Sequence, residues 1–272
     1  MLGGNKAYNF LRNEKVICYP LPINLQGSSQ EINIEYIEKY QEKFEETFEL
    51  LEDDLSRQTI AAYLKLKVSE NPAYNWEVYC PSPYFNELTE SFSHGIFVDC
   101  GAYCGDTIER FVNWSHGDYQ KILAIEADPD NFDRLKNFIN DKDYKNIELL
   151  NCGVWSEKGS ITFNKQIERT RASKEGNLII PTDMLDNIIG EQSVDLIKIE
   201  IQGSELQALK GAISIMKNQK PCFSISMFHK PEDLITIPQF IKSVQPSYKI
   251  YLRKHTRIRD NGLTLYAVPR KR

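Results

Sequence analysis

Asp99 and Asp106, on either side of a turn that holds Gly101 and Gly105, are the residues of this chain best placed to do chemistry. They lie in Ile96-Phe97-Val98-Asp99-Cys100-Gly101-Ala102-Tyr103-Cys104-Gly105-Asp106-Thr107, an apolar run that ends in an acid and opens into a glycine-bearing turn. Ile122-Leu123-Ala124-Ile125-Glu126-Ala127-Asp128-Pro129 repeats the apolar run and its terminal acid. A doubly wound α/β protein builds a nucleotide pocket in this way, at the carboxyl ends of its first two strands. Gly101 and Gly105 let the backbone turn sharply and approach a ligand closely. Glu126 stands where a carboxylate accepts both hydroxyls of a ribose. A dinucleotide loop reads G-x-G-x-x-G and offers amide donors to a pyrophosphate. Here the spacing is Gly-x-x-x-Gly between two carboxylates, which repel a pyrophosphate and attract a cation. S-adenosylmethionine carries an adenosine, an ammonium and a sulfonium but no phosphate, and is the expected cofactor. The alternative reading is a βαβ unit with a tight turn and no ligand.

These motifs need strands and helices to position them, and the chain has the material. Its 272 residues suffice for one large α/β domain with an appendage, and 41% hydrophobic content supports a core. A net charge of −5 argues against a nucleic-acid binder. No apolar stretch reaches membrane-spanning length and no leader pattern opens the sequence, so a cytoplasmic protein without a membrane partner is expected. Cys18, Cys80, Cys100, Cys104, Cys152 and Cys222 are scattered, and C-x-x-x-C at Cys100 and Cys104 is poor zinc spacing. Free thiols are expected, and no metal.

Residues 1–30 read as an irregular arm. From Glu31 to Lys67 the pattern is helical, with Ile37, Tyr40, Phe44, Phe48, Leu51 and Leu55 on one face and a break at Asp53-Asp54. A partner helix in a homo-oligomer is one reading of this short seam, and packing on the main domain is the other. Pro72, Pro81 and Pro83 mark a connector, which divides the chain into a helical extension, 1–94, and a ligand-binding domain, 95–272. Strands are predicted at Gly95–Cys100, Lys121–Ile125, Ile147–Cys152, Asp195–Glu200 and Cys222–Met227, with a short hairpin near Gly153–Phe163. Helices are predicted near Asp106–Trp114, Pro129–Asn140, Thr182–Ile189, Ser204–Met216 and Pro231–Val244. Ser204 and Gln207 resemble a capping box. Tyr248–Arg253 and Leu263–Val268 read as strands joined without a crossover helix, and so antiparallel. The expected fold class is therefore α/β, a mostly parallel seven-stranded Rossmann-like sheet ending in an antiparallel hairpin, with an N-terminal helical extension.

With these pieces placed, the chain resembles the FkbM family of S-adenosylmethionine-dependent methyltransferases, of class I architecture. The matching residues are Val98 to Ala102 with Gly105-Asp106-Thr107, Ala124-Ile125-Glu126, Asp195 to Glu205, Ala208 to Ala212, Ile225 to Leu234, Tyr251-Leu252-Arg253 and Leu265-Tyr266-Ala267. The likeness runs from about residue 95 onward, with a weaker echo at Leu51–Thr59. The family's usual wording in the fourth-strand segment is I-K-I-D-I-E-G-S-E; this chain has Glu200 for the Asp and Gln202 for the Glu. The resemblance implies that Asp99, Gly101 and Thr107, with Ala102, Tyr103, Gly105 and Asp106, hold the methionine end of the cofactor. It gives the ribose to Glu126 and the adenine to Ala127 and the turn Asn151-Cys152-Gly153-Val154, with Glu200 at the edge of the cleft. It also implies O-methyl transfer to a hydroxyl of a sugar, a nucleotide-linked sugar or a similar small metabolite, in surface-polysaccharide or natural-product synthesis.

An alcohol needs a base as its proton leaves. His229, after the fifth strand, is the histidine best placed for that, beside a second reading in which it merely holds the strand-to-helix turn. Glu200 reads either as a site residue or as an acid near a helix N-terminus. His229, Glu200 and Lys198 form the expected catalytic set. Two basic clusters, Lys165, Arg169, Arg171 and Lys174 in a long loop and Lys249, Arg253, Lys254, Arg257 and Arg259 in the terminal hairpin, are either solvated surface or a clamp for an anionic acceptor. Arg171, Gln202, His229, Lys230, Arg253 and Arg257 are the expected acceptor-binding residues. A nicotinamide-dinucleotide oxidoreductase and a degenerate, non-enzymatic interaction module are the rival readings.

Overall fold

The computed structural model describes residues 32–166, 169–172 and 178–270. Contacts divide the chain into two units, one formed by the chain up to Pro83 together with Ser226 onward, the other by Tyr84–Ile225. The arm read at residues 1–30 lies outside the described residues, as do Cys18 and Lys174.

The first unit opens with helices α1 (Ile34–Lys39), α2 (Gln41–Leu50), α3 (Asp54–Ser69) and α4 (Ala73–Glu77). The break expected at Asp53-Asp54 is a helix start: the Asp53 carboxylate caps α3 by accepting the Ser56 N–H at 2.8 Å. Helix α3 buries Ile60, Tyr63, Leu64 and Leu66. No helix among the described residues is long and apolar enough to cross a membrane.

The second unit holds β1 (Ile96–Cys100), α5 (Asp106–Trp114), β2 (Lys121–Ile125), α6 (Pro129–Asn140) and β3 (Ile147–Leu150). There follow β4 (Gly153–Val154), β5 (Gly159–Gln166), β6 (Arg169–Ala172), β7 (Leu178–Asp183) and α7 (Leu185–Ile189). It closes with β8 (Leu196–Ile199), α8 (Glu205–Lys210), α9 (Ile213–Asn218) and β9 (Cys222–Ser226). Strands β9, β8, β1, β2 and β3 are neighbours in that order, all parallel. Their apolar runs are continuous because a parallel sheet is covered on both faces; every residue of β8 and β9 is buried. The chain steps outward on one side from β1 to β2 and β3, then returns on the other as β8 and β9. That reversal makes β1 the switch point, where the carboxyl ends of the strands leave a crevice.

β4 and β5, where a hairpin was expected near Gly153–Phe163, are not neighbours: both pair with β7 in a second sheet, four-stranded among the described residues and ordered β4-β7-β5-β6. Lys165, Arg169 and Arg171 therefore lie on strands, not in a long loop, and the helix expected from Thr182 begins at Leu185. The helix expected over Ser204–Met216 is two helices, and Ser204 makes no side-chain cap. A Cβ on Gly211 would stand 2.1 Å from the Trp155 carbonyl oxygen, so the chain at the break lies close against another segment. Asp186 of α7 then starts α9 afresh by accepting the Ser214 and Ile215 N–H groups, each at 2.9 Å.

The first unit resumes with α10 (Asp233–Val244), β10 (Lys249–Lys254) and β11 (Leu263–Val268). β10 and β11 pair antiparallel from Lys249–Val268 to Lys254–Leu263, as expected. The main sheet thus counts seven strands, mostly parallel and ending in an antiparallel pair. Within this unit β10 packs on α3 and α10 on α2. The Glu52 and Cys80 N–H groups bond the Ile250 and Lys254 carbonyls.

Candidate active site

A cleft of about 300 Å³ opens in the second unit at the carboxyl ends of β1, β2 and β8. Its wall brings together Gly101, Tyr103, Asp106, Thr107, Glu126, Ala127, Cys152, Gly153, Val154, Lys198, Glu200 and Gln202 from the expected set. Ile125, Asn131, Trp155, Ile201 and Ser204 join them without having been read from the sequence.

The turn after β1 needs its glycines. Gly101 and Gly105 have φ of +84° and +96°, and a Cβ on Gly101 would lie 2.1 Å from the Glu200 carbonyl oxygen. Tyr103, between them, is also left-handed at φ +50°. This conformation aims the Tyr103 N–H at Glu126 Oε2, 2.8 Å away, while the Asp128 N–H donates to Oε1 at 2.9 Å. The Asn151 amide holds the Glu126 carbonyl at 2.8 Å. Burial pushes the Glu126 carboxyl above its usual pKa, and the two N–H donors pull against that shift without cancelling it. Each oxygen keeps a lone pair for a hydroxyl donor.

Asp99 stands elsewhere than expected. It is fully buried and off the cleft wall, with Oδ1 2.9 Å from Lys198 Nζ. The same ammonium donates to the Gly101 carbonyl at 2.7 Å, so Lys198 ties the turn to β8. Burial lifts the Asp99 carboxyl to about 6 against the pull of Lys198. Burial disfavours charge on Lys198 as well, but the carboxylates of Asp99 and Glu200 outweigh it and hold that ammonium above its ordinary pKa. Ala102 and Gly105, likewise expected to touch ligand, shape the turn without lining the cleft. The cleft still presents Asp106, Glu126 and Glu200 against one ammonium, an acidic balance that suits a cation.

After β8, Gln202 and Gly203 are both left-handed, at φ +56° and +95°. Gln202 Oε1 is buried with no hydrogen-bond donor among the described residues. Glu205 accepts the Ile201 N–H at 3.0 Å, and this reach-back replaces the expected Ser204 cap. Glu200 Oε2 accepts from the Tyr84 hydroxyl at 2.5 Å.

A family model, the Methyltransferase FkbM domain, matches residues 99–256, more than half of the chain. The chain belongs to the FkbM methyltransferase family. It is similar to the crystal structure of Methyltransferase FkbM from Methylobacillus flagellatus KT, at 29% identity and a TM-score of 0.73, covering 85% of this chain and 59% of that one. It is also similar to the hexuronic acid methyltransferase AglP of Haloferax volcanii, 26% identical over 136 residues, which are 47% of this chain and 56% of that protein. The chain thus spans somewhat more than half the length of each.

The remaining expected residues of this FkbM chain are placed as follows. His229 and Lys230 belong to the first unit, His229 buried with its ring 4.3 Å from that of Phe228, Lys230 exposed. Arg253 departs from the clamp expected of it: its guanidinium is buried and donates to Asp53 Oδ2 at 2.7 Å and to Ser56 Oγ at 3.0 Å. Burial works against charge on Asp53, yet the bonds from Arg253 and Ser56 hold its carboxyl below its usual pKa. Arg257 is exposed and lies 4.4 Å from the Tyr79 ring. Arg171 sits on β6 opposite Asn164. Tyr84, the partner of Glu200, is a further residue that no spacing or periodicity in the sequence marks.

Proposed function

We propose that this FkbM chain is an S-adenosylmethionine-dependent O-methyltransferase that acts on a hydroxyl of a sugar or nucleotide-linked sugar. The observation that carries the reading is Glu126, held by the Tyr103 and Asp128 N–H groups at the mouth of β2. Both oxygens are fixed before a ribose arrives, so its hydroxyls meet acceptors that need no reorganisation. The residues fit the cofactor in two further ways. The absence of a Cβ at Gly101 lets two backbone segments close up behind the turn, and the bare Gln202 Oε1 calls for a donor such as an ammonium or a hydroxyl.

On this reading Glu126 holds the ribose, Ala127 and the Cys152–Val154 segment flank the adenine, and Gly101, Asp106 and Thr107 surround the methionine end. When bound, the cofactor supplies an electrophilic methyl carbon. The chain's own work is on the acceptor. Glu200 takes the hydroxyl proton as the oxygen becomes a nucleophile, and Lys198 keeps the Gly101 turn in place. His229 is the rival base. The sugar acceptor is supported by the likeness to a hexuronic acid methyltransferase. The test is incubation of the purified protein with methyl-labelled cofactor and a panel of hexuronic-acid glycans and nucleotide sugars, read by mass spectrometry. One labelled methyl on a hydroxyl is expected, and transfer only to nitrogen or to a carboxylate would refute O-methylation.

A further inference from the structure

Tyr84 belongs to the second unit but comes from the proline-marked connector rather than from any strand of the sheet. Its backbone is left-handed at φ +70°, close behind Ser82 at +63°. Non-glycine residues rarely adopt this region, and two such residues so close together persist only where their surroundings over-determine them. The surroundings here do so. The Tyr84 carbonyl accepts from Thr89 Oγ1 at 3.1 Å and from Ser224 Oγ at 3.4 Å. The side chain is buried, with Lys198 Nζ 5.7 Å and the Arg110 guanidinium 5.9 Å from the ring centre. All of this presents one polar atom, the phenol oxygen, to Glu200 Oε2 at 2.5 Å, the short range of a hydroxyl bonded to an ionised carboxylate.

We propose that Tyr84 is a positioning residue for the acceptor chemistry: its phenol occupies Glu200 Oε2 and leaves Oε1 as the oxygen that takes the acceptor's proton. This rests on the reading of Glu200 as the base. The phenol does two things at once. It fixes the carboxylate's rotamer, and it stabilises the ionised form, which lowers the proton affinity of the free oxygen. The charged groups that interact with Glu200 are Lys198, which attracts it, and Asp99, which repels it. The cationic Arg110 lies 5.9 Å from the centre of the Tyr84 ring.

The test uses the full chain with ¹³C-labelled glutamate side chains, comparing the Glu200 carboxyl titration in wild type and Y84F. Loss of the phenol donor should raise the Glu200 midpoint by roughly 0.5–1.5 pH units, and the acid limb of kcat/KM should move upward by the same amount. kcat should fall roughly tenfold or more, with cofactor Kd unchanged. Packing alone would leave the midpoint where it is in wild type, and that result would overturn the proposal. A measurement on the unmutated sequence guards against a misfolded variant: in fluorotyrosine-labelled protein, the Tyr84 ¹⁹F signal should shift with the Glu200 midpoint, and an insensitive signal would again count against it. Because the titrations need no turnover, a coupled Tyr84–Glu200 pair in a protein that transfers no methyl group would refute the proposed reaction while leaving the positioning intact.

Discussion

Lys198 reaches across from β8 to place its ammonium 2.9 Å from the Asp99 carboxylate, and both side chains are buried. The pair changes how the acid-flanked turn works: Asp99 serves as an anchor for Lys198, and Asp106, Glu126 and Glu200 are the acids left to face a cationic ligand.

Breaking this pair from one side should be costly. Lys198→Met leaves Asp99 as an uncompensated buried acid and should destabilise the fold by about 3–5 kcal/mol in urea unfolding. Adding Asp99→Asn should restore part of that loss. Two losses that simply add would show that the residues do not act as a pair.

Glu126 should set both the strength and the pH dependence of cofactor binding. Glu126→Ala should cost about 1.5–3 kcal/mol of affinity for S-adenosylhomocysteine. The ligand's hydroxyls need the ionised carboxylate, so binding is full above the Glu126 pKa and weakens as pH falls through it. Burial raises that pKa, so the decline should begin above the ordinary glutamate range near about 4.3. Calorimetric titrations across this range should show the decline in wild type and lose it in Glu126→Gln.

The two hairpin arginines should separate. Arg253 is committed to Asp53 and Ser56, so Arg253→Ala should lower stability by about 1.5–3 kcal/mol, the worth of a hydrogen bond to a charged group. Arg257 is exposed, and if it holds a phosphorylated acceptor, Arg257→Ala should raise KM for that acceptor and leave cofactor binding alone. Added salt should act in the same direction, more mildly. Equal use of a free sugar and its nucleotide-linked form would remove this role.

The base is identified by a pair of variants. Glu200→Gln should lower kcat roughly 10²–10⁴-fold with cofactor affinity little changed, and His229→Ala, if it folds, should keep most of its kcat. The reverse pattern would make His229 the base.

The sheet was legible because its strands are short apolar runs that end in acids and glycines, a pattern local enough to read along the chain. The same is true of Glu126, whose partners Tyr103 and Asp128 come from the two turns that the sequence singles out. What could not be read was long-range pairing. Arg253 meets Asp53 across 200 positions and Tyr84 meets Glu200 across 116, and neither spacing leaves a periodic trace. Strands β5 to β7 were hidden for another reason. Lys165, Arg169 and Arg171 suggested a loop, yet β5 and β7 pair along Ile161–Ile180 and Thr162–Ile179. Asp99 shows a third limit, since its type and spacing suit a ligand but its burial beside Lys198 gives it a different duty.

The central claim, that the Glu126 cleft is an S-adenosylmethionine site, is tested most directly by isothermal titration of the purified protein with S-adenosylhomocysteine and, separately, with NAD. The account predicts saturable one-to-one binding of S-adenosylhomocysteine, about tenfold or more weaker in Glu126→Ala, and no heat from NAD. Binding that is unaffected by Glu126→Ala, or a preference for NAD, would contradict it.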